Sequence, residues 1–222
     1  MGDDLDQAWR TRTADAAFAG AITGAGGLVK TGSYQQILSG PNNFSGPVDV
    51  QNGTLMLNGT VGPVTVQSPG TLSAGGSPGH LLSTGPYSQS GTMWAELGGK
   101  VQGVSYDWIE VDPGAATLGG TVDVDFFGTF GADDVEIGDA FYILTAVGGI
   151  TNADLSGVTF DFSGAQLTTA ATFWKTDIVG WGPVGQGGEA LMLSIGVPEP
   201  STLLLAALGL VGLGFVGRRR KR

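Results

Sequence analysis

Glycine is the residue that most constrains how this chain can fold. It occupies 40 of the 222 positions, well above the ~7% of an average soluble protein. Each glycine inside a helix costs about 1 kcal/mol relative to alanine, because its backbone loses more freedom on folding. Long helices are therefore disfavoured, and the accompanying threonine, serine and valine favour short strands joined by tight turns. We expect an all-β fold.

The charges exclude one class of partner. The chain has 20 acidic and 10 basic residues, and half of the basic ones form the C-terminal run Arg218, Arg219, Arg220, Lys221 and Arg222. The rest of the chain is strongly acidic and would repel a phosphate backbone, so we expect no nucleic-acid partner. Cysteine is absent, which rules out disulfides and thiolate metal sites.

The last 26 residues have three consecutive parts. The first part is stiff and extended because it contains two prolines, and it consists of Val197, Pro198, Glu199 and Pro200. Ser201 can cap a helix, and residues 203–216 are uncharged and almost wholly apolar. A helix over residues 201–217 would be about 26 Å long, close to the ~30 Å hydrocarbon core of a membrane. The sequence thus predicts one transmembrane helix followed by a basic cluster that stays cytoplasmic.

This order and spacing resemble the PEP-CTERM sorting signal, which has a Pro-Glu-Pro motif, an apolar helix and a terminal arginine cluster. The resemblance implies that an exosortase, a membrane-embedded protease, recognises the tail and cleaves near the motif. It also implies an exported precursor anchored in the membrane and a mature protein at the cell surface or outside the cell. Such proteins occur in bacteria that make exopolysaccharide and biofilm. The chain would be a substrate of the exosortase and not a catalyst.

The N-terminal segment, residues 1–23, is mixed and alanine-rich, and we expect a short helix or a disordered leader there. Residues 1–20 begin with acidic side chains and lack the apolar stretch of a secretory signal peptide. A protein of the PEP-CTERM type should begin with such a peptide. The native start therefore differs from the printed one, or export uses another route.

A repeat-like region covers residues 24–86. Its clearest block, residues 24–59, alternates apolar and polar positions and contains the turn-forming pairs Asn52-Gly53 and Asn58-Gly59. The block resembles the autotransporter-associated β-helix repeat in four segments, which are Gly27-Leu28-Val29-Lys30-Thr31-Gly32, Ile37-Leu38-Ser39-Gly40, Asn43-Phe44-Ser45-Gly46 and Val50-Gln51-Asn52-Gly53-Thr54-Leu55. This resemblance implies one or two rungs of a right-handed parallel β-helix.

A looser repeat extends this pattern along the chain. Gly-Thr followed by an apolar residue recurs with offsets of 17, 21 and 29 residues, at Gly53-Thr54-Leu55, Gly70-Thr71-Leu72, Gly91-Thr92-Met93 and Gly120-Thr121-Val122. Rungs of a β-helix contain roughly 20 residues. The first two offsets fit one rung each, and the last requires an insertion.

Residues 87–196 contain longer strand candidates. They lie at residues 93–97, 106–111, 121–126, 141–144, 171–174, 177–179 and 191–195. We expect either a continuation of the β-helix or a separate β-sandwich-like domain. The sorting tail, residues 197–222, follows.

The sequence shows no catalytic constellation. His80 is the single histidine, and no Gly-x-Ser-x-Gly elbow accompanies it. One histidine without cysteine also fails to supply the usual zinc ligands. Outside the tail the basic residues are few and scattered, namely Arg10, Arg12, Lys30, Lys100 and Lys175. Four tryptophans could stack on sugar rings, although burial is the commoner explanation: Trp94, Trp108, Trp174 and Trp181.

Two groups of carboxylates are the remaining site candidates. Asp123 and Asp125 alternate with apolar residues and so share one face of a strand, which would be solvated or form a sugar- or Ca²⁺-binding edge. The second group lies in a glycine-containing loop and consists of Asp133, Asp134, Glu136 and Asp139. Because it lacks the ligand order of an EF-hand, it is a candidate Ca²⁺ site or a solvated acidic loop. We expect no other cofactor.

These observations favour a non-catalytic, exported surface or matrix protein with a structural or adhesive role in biofilm and exopolysaccharide. One alternative is a carbohydrate-active β-helix enzyme, which needs converging carboxylates or a basic residue beside them. Another is a Ca²⁺- or polysaccharide-binding module. The expected partners are an exosortase-type enzyme, the membrane through the C-terminal helix, and extracellular polysaccharide.

Overall fold

The computed structural model describes residues 14–76, 78–168, 172–182 and 187–196. Within these ranges every regular element is a β-strand. The strands pair in parallel except for two antiparallel pairings near the C-terminus. The described part of the chain is therefore all-β, as the glycine content predicts.

The strands form three sheets. Sheet A has the order β1 (Ala16–Phe18), β4 (Gln35–Leu38), β7 (Thr54–Leu57), β10 (Thr71–Ser73), β13 (Thr92–Leu97), β16 (Gly120–Phe126), β19 (Val158–Gly164). Sheet B has the order β2 (Thr23–Gly24), β5 (Asn43–Phe44), β8 (Gly59–Val61), β11 (His80–Ser83), β14 (Trp108–Val111), β17 (Ala140–Ala146), β21 (Gly188–Gly196), β20 (Phe173–Trp181). Sheet C has the order β18 (Ile150–Thr151), β15 (Ala116–Thr117), β12 (Tyr87–Gln89), β9 (Val64–Val66), β6 (Val48–Val50), β3 (Leu28–Lys30).

Consecutive strands belong to sheets A, B and C in turn, so three strands make one coil of the chain. Each coil lies directly on the one before it, from β1–β3 to β16–β18. This strand order is compatible with a three-sided, β-helix-like stack. Right-handed winding stays a prediction from the sequence, and it is favoured because crossovers between parallel strands are right-handed in nearly all proteins.

The Gly-Thr repeat sets the register of sheet A. Thr54 pairs with Thr71, Thr71 with Thr92, and Thr92 with Thr121, so the predicted equivalence of the four segments is confirmed. The apolar residues that follow these threonines form a ladder inside the stack, made of Leu55, Leu72, Met93 and Val122. All four are almost completely buried, and a buried side chain of this size contributes roughly 1.5–3 kcal/mol.

Insertions lengthen the later coils. The offset of 29 residues between Thr92 and Thr121 includes residues 98–107, which connect β13 to β14. Residues 127–139 form a second insertion, between β16 and β17. Both insertions lie where the chain passes from sheet A to sheet B, so the sheets continue past them in register.

The second half of the described chain extends the same three sheets. β12 pairs with β9 on one side and with β15 on the other. Sheet C therefore continues across residues 86 and 87, the boundary between the two regions that the sequence predicts. At the other end the stack begins before Gly24, because Ala16–Phe18 form β1 and pair with β4.

One strand assignment from the sequence is corrected by the structure. The sequence predicts separate strands at residues 171–174 and 177–179, whereas the structure has the single strand β20. The partly buried residues Trp174, Thr176 and Ile178 alternate without a break. Lys175 is charged but lies on the exposed face, so it does not interrupt the strand.

Aromatic rings close the C-terminal end of the core. β21 pairs antiparallel with β17 and with β20, which ends the parallel growth of sheet B. Trp174 stacks on Phe162 with ring centroids 5.2 Å apart and also contacts Phe126 and Phe141. A stack of coils needs such a cover, because its last inward-facing residues have no following coil.

No helical segment in the described ranges has the length and hydropathy needed to cross a membrane. The transmembrane helix that the sequence predicts at residues 201–217 lies outside these ranges.

Glycines occupy corners where successive coils approach too closely for a side chain. A Cβ at Gly91 would overlap the carbonyl oxygen of Gly70, and a Cβ at Gly120 would overlap that of Gly91. Gly120 also has a φ of +64°, which side chains rarely tolerate. Part of the glycine excess therefore follows from the close stacking of the coils.

We predict that Gly91→Ala destabilises the protein by about 1–3 kcal/mol, because the new methyl group would meet the backbone oxygens of Gly70 and Gln67. Denaturant unfolding measures this loss. The control is Gly180→Ala, since Gly180 lies in β20 with nothing within 4 Å of the added Cβ. An equal loss in both variants would contradict the argument from coil stacking.

Candidate functional site

The outer face of sheet A carries acidic and aromatic side chains where β13, β16 and β19 lie side by side. The register places Trp94 opposite Asp123 and Glu96 opposite Asp125. Asp161 of β19 continues the first row beside Asp123. Three neighbouring strands therefore bring four carboxylates onto one face.

The predicted division of β16 into two faces is confirmed. Val122 and Val124 are fully buried in the core, so the two aspartates between and after them point outward. Asp125 accepts a hydrogen bond from Trp94 Nε1 at 2.8 Å. Burial, followed by repulsion from Asp125 and Asp161, raises the pKa of Asp123.

Asp107, at the end of the insertion after β13, adds a buried carboxylate to this region. Its carboxylate accepts hydrogen bonds from Gly79 N at 2.8 Å, Ser73 Oγ at 3.0 Å and Glu96 N at 3.2 Å. Only 2% of the residue is exposed. Burial raises the pKa of Asp107 to about 7, although the three hydrogen bonds favour the charged form.

Glu96 is the least satisfied polar side chain of the site. It is 6% exposed, and its Oε2 has no hydrogen-bond partner in the part of the chain that the structure describes. Burial, with additional repulsion from Asp107 and Asp125, raises the pKa of Glu96 to about 7. Glu96 and Asp107 therefore titrate near neutral pH.

The site can exchange protons, but it is not arranged as a metal centre. Among the described residues, no group of three or more histidine or acidic side chains could hold a metal ion. The two ion pairs found in these ranges lie elsewhere, between His80 and Glu110 and between Lys100 and Asp139. The carboxylates of sheet A thus face each other without a neighbouring cation from the described chain.

The second acidic group forms turns in the insertion before β17. Asp134 accepts a hydrogen bond from Gly131 N at 2.8 Å, and Asp139 accepts one from Glu136 N at 2.7 Å. Asp139 also pairs with Lys100 at 2.8 Å. Asp133 accepts a hydrogen bond from Thr168 Oγ1 at 3.2 Å. This arrangement gives the Ca²⁺ prediction for Asp133, Asp134, Glu136 and Asp139 no support.

His80 is the first residue of β11, on sheet B. Its ring stacks on Trp108 with centroids 4.2 Å apart and an interplanar angle of 6°. His80 Nε2 lies 2.9 Å from Glu110 Oε2, and Trp108 Nε1 donates to Thr145 Oγ1 at 2.9 Å. These contacts fix the imidazole within a stacked pair.

The sequence identified Asp123 and Asp125 but missed Glu96 and Asp107. Glu96 occupies an outward position in a strand that the sequence predicts, so the register of the Gly-Thr repeat was the signal that could have placed it beside Asp125. Asp107 gave no such signal, because its position depends on the path of an insertion. The tryptophans also have different surroundings. Trp174 covers the core, and the ring centroid of Trp181 lies 5.0 Å from that of Tyr142.

The sorting tail lies outside the described residues, including Val197, Pro198, Glu199, Pro200 and the basic run from Arg218 to Arg222. Residues 196–221 match the PEP-CTERM protein-sorting motif. The PEP-CTERM motif marks an exported protein that is anchored in the membrane and then processed by an exosortase to the cell surface. No curated protein matches the chain.

We predict that Glu96→Gln stabilises the protein at pH 8 and has little effect at pH 4.5. The pKa of Glu96 is about 7 in the folded state, against an ordinary value of 4.5. Folding therefore favours the neutral form of Glu96. The stability that this form contributes is complete below pH 4.5 and is lost as the pH rises through 7. Removing the charge should recover about 1–3 kcal/mol at pH 8.

Thermal unfolding at both pH values measures this difference. Glu136→Gln is the matched control, since Glu136 is exposed. If Glu96→Gln lowers the stability equally at both pH values, the charge of Glu96 does not destabilise the folded protein.

Proposed function

We propose that this chain is a non-catalytic, exported protein of the cell surface or extracellular matrix, with a structural or adhesive role in biofilm and exopolysaccharide. The observation that carries the proposal is the position of the PEP-CTERM motif relative to the fold. β21 ends at Gly196, and the motif match begins at residue 196. Cleavage near Pro198-Glu199-Pro200 would therefore leave every described strand on the released side.

The last strand is well suited to become the end of a processed chain. β21 forms a ladder with β17 on one side and pairs over its whole length with β20 on the other. Its residues Leu191 and Leu193 are fully buried. These contacts support a body that keeps its fold after the tail is removed.

A row of hydroxyl groups on sheet C supports contact with polysaccharide. Parallel pairing aligns four exposed residues on the outer face of this sheet, which are Thr65, Ser88, Thr117 and Thr151. Neighbouring strands are ≈ 4.8 Å apart, so the row presents one hydroxyl group per strand. The Thr117 and Thr151 hydroxyls bond to each other at 2.6 Å and keep acceptor lone pairs for a ligand. A polymer rich in hydroxyl groups is the chemistry that such a surface fits.

The burial of Glu96 and Asp107 favours a non-catalytic role over a carbohydrate-active enzyme. Glu96 and Asp107 titrate in the range that general acids and bases use, but they are 6% and 2% exposed. A sugar ring would not reach them in this conformation. New reducing ends in matrix polysaccharide incubated with the protein, absent with a heat-denatured sample, would favour the enzyme alternative instead.

Mass spectrometry of the mature C-terminus tests the processing step. In cells with an active exosortase we expect the chain to end near Pro198-Glu199-Pro200, and in cells without it we expect a chain ending at Arg222. An intact C-terminus in both strains would overturn the processing claim. Labelling of intact cells with an antibody against the body would separately test surface exposure.

We also predict that a chain ending at Gly196 unfolds at the same temperature as the full chain, within about 2 °C, because it keeps β21 and every other described strand. Circular dichroism in the same detergent measures both transitions. The control is a chain ending at Trp181, which lacks β21 and should lose cooperative unfolding. Loss of folding in the chain ending at Gly196 would show that the tail belongs to the body.

A further inference from the structure

The outermost strand of sheet B, β20, has one edge that no other described strand covers. Within the described residues it pairs with β21 alone, and Phe173–Trp181 make no other backbone hydrogen bond. The strand is nine residues long, whereas exposed edge strands are usually short or otherwise protected. The N–H and C=O groups on this edge have no backbone partner among the described residues and can accept another strand.

The exposed face of β20 carries one aromatic and two charged side chains. Phe173 is 41% exposed, and Lys175 and Asp177 are exposed as well. Neither charge takes part in an ion pair within the part of the chain that the structure describes. The two opposite charges are two residues apart and so point to the same face of the strand.

We propose that two copies of this chain pair antiparallel through β20, around a two-fold axis at Thr176. This register places Lys175 opposite Asp177 of the partner subunit, and Asp177 opposite Lys175 of the partner subunit. Phe173 then lies opposite Val179 of the partner subunit. Directly opposite side chains in an antiparallel pair are ≈ 4.5–5.5 Å apart at Cβ, so both ion pairs form and the exposed phenylalanine gains an apolar neighbour.

The charges select this register among the symmetric ones. In an antiparallel pair, residues directly opposite each other point to the same face of the sheet. Each residue must therefore lie opposite its own copy or opposite a residue an even number of positions away. The two-fold axis thus passes between the two copies of one residue. An axis at Lys175 or at Asp177 would place identical charges opposite each other. Axes further along the strand leave both charges opposite uncharged residues, and only the axis at Thr176 pairs each charge with its opposite.

The result is an isologous dimer in which sheet B runs through both copies. Such an interface satisfies the free edge once and then closes, so it does not continue into fibres. The interface is independent of the proposed matrix role, because it depends on β20 alone.

Charge exchange in the full chain tests this interface. The mass of the detergent-solubilised protein is measured by light scattering after size exclusion, with the detergent contribution subtracted. We expect a dimer for the unmodified chain. Lys175→Asp and Asp177→Lys each place like charges opposite each other, so each should weaken dimerisation at least tenfold.

Two further samples make the test specific to β20. The double variant K175D/D177K and an equimolar mixture of the two single variants both restore opposite charges, and both should recover the dimer. Asp112→Lys, an exposed charge change outside β20, is the control and should remain dimeric. All variants carry the same tail, so association through the membrane segment cannot produce this pattern.

A monomeric unmodified chain at high micromolar concentration would overturn the proposal. So would a dimer that persists in both single variants, because it would use another surface. A loss of dimer that neither the double variant nor the mixture restores would also overturn it, provided that circular dichroism shows folded protein.

Discussion

In-register hydrogen bonding between successive coils is the interaction on which the rest of this structure depends. Each coil buries its inward-facing residues only against the coils before and after it, so a coil has no core of its own. The ladder that begins at Leu55 continues through Leu72, Met93 and Val122 because the parallel register repeats from coil to coil. The same close approach leaves no room for a Cβ at corners such as Gly91. The hydrophobic ladders and the glycines at these corners are thus two consequences of one stacking distance.

Stacking also explains where the chain can vary. Residues that must pair are restricted, whereas residues between strands can be added without disturbing the neighbouring coils. The insertion at residues 98–107 uses this freedom and brings Asp107 onto Ser73 and Gly79 of the preceding coil. Asp107 also accepts a hydrogen bond from Glu96 N, and after burial its charge further raises the pKa of the Glu96 carboxyl, to about 7. The acidic site is therefore a product of an insertion laid beside a regular sheet, and its cost to stability depends on pH.

The two C-terminal strands of sheet B, β20 and β21, have different roles. Trp174 and its aromatic neighbours cover the core, and the change to antiparallel pairing ends the growth of the stack. β21 is enclosed between two strands and leads directly into the PEP-CTERM motif, so the described strands end where the sorting motif begins. Among the described strands of sheet B, β20 is outermost, and its two charges form no ion pair within the described part of the chain. The surface that we propose for self-association therefore lies beside the end of the sorted body.

The sequence by itself determined the all-β class, the repeat register of sheet A and the sorting tail, because glycine content, strand periodicity and an apolar segment beside charges are local properties. It also singled out Lys30, but only the structure shows the Lys30 ammonium donating to the carbonyl groups of Thr31, Gly32 and Asn52. The continuity of β20 is also a local property, since Trp174, Thr176 and Ile178 alternate across Lys175. Tertiary structure alone decided the position of Asp107 beside Glu96 and the place of each tryptophan. These features depend on the path of insertions and on which strands lie side by side, and neither is encoded in a local pattern.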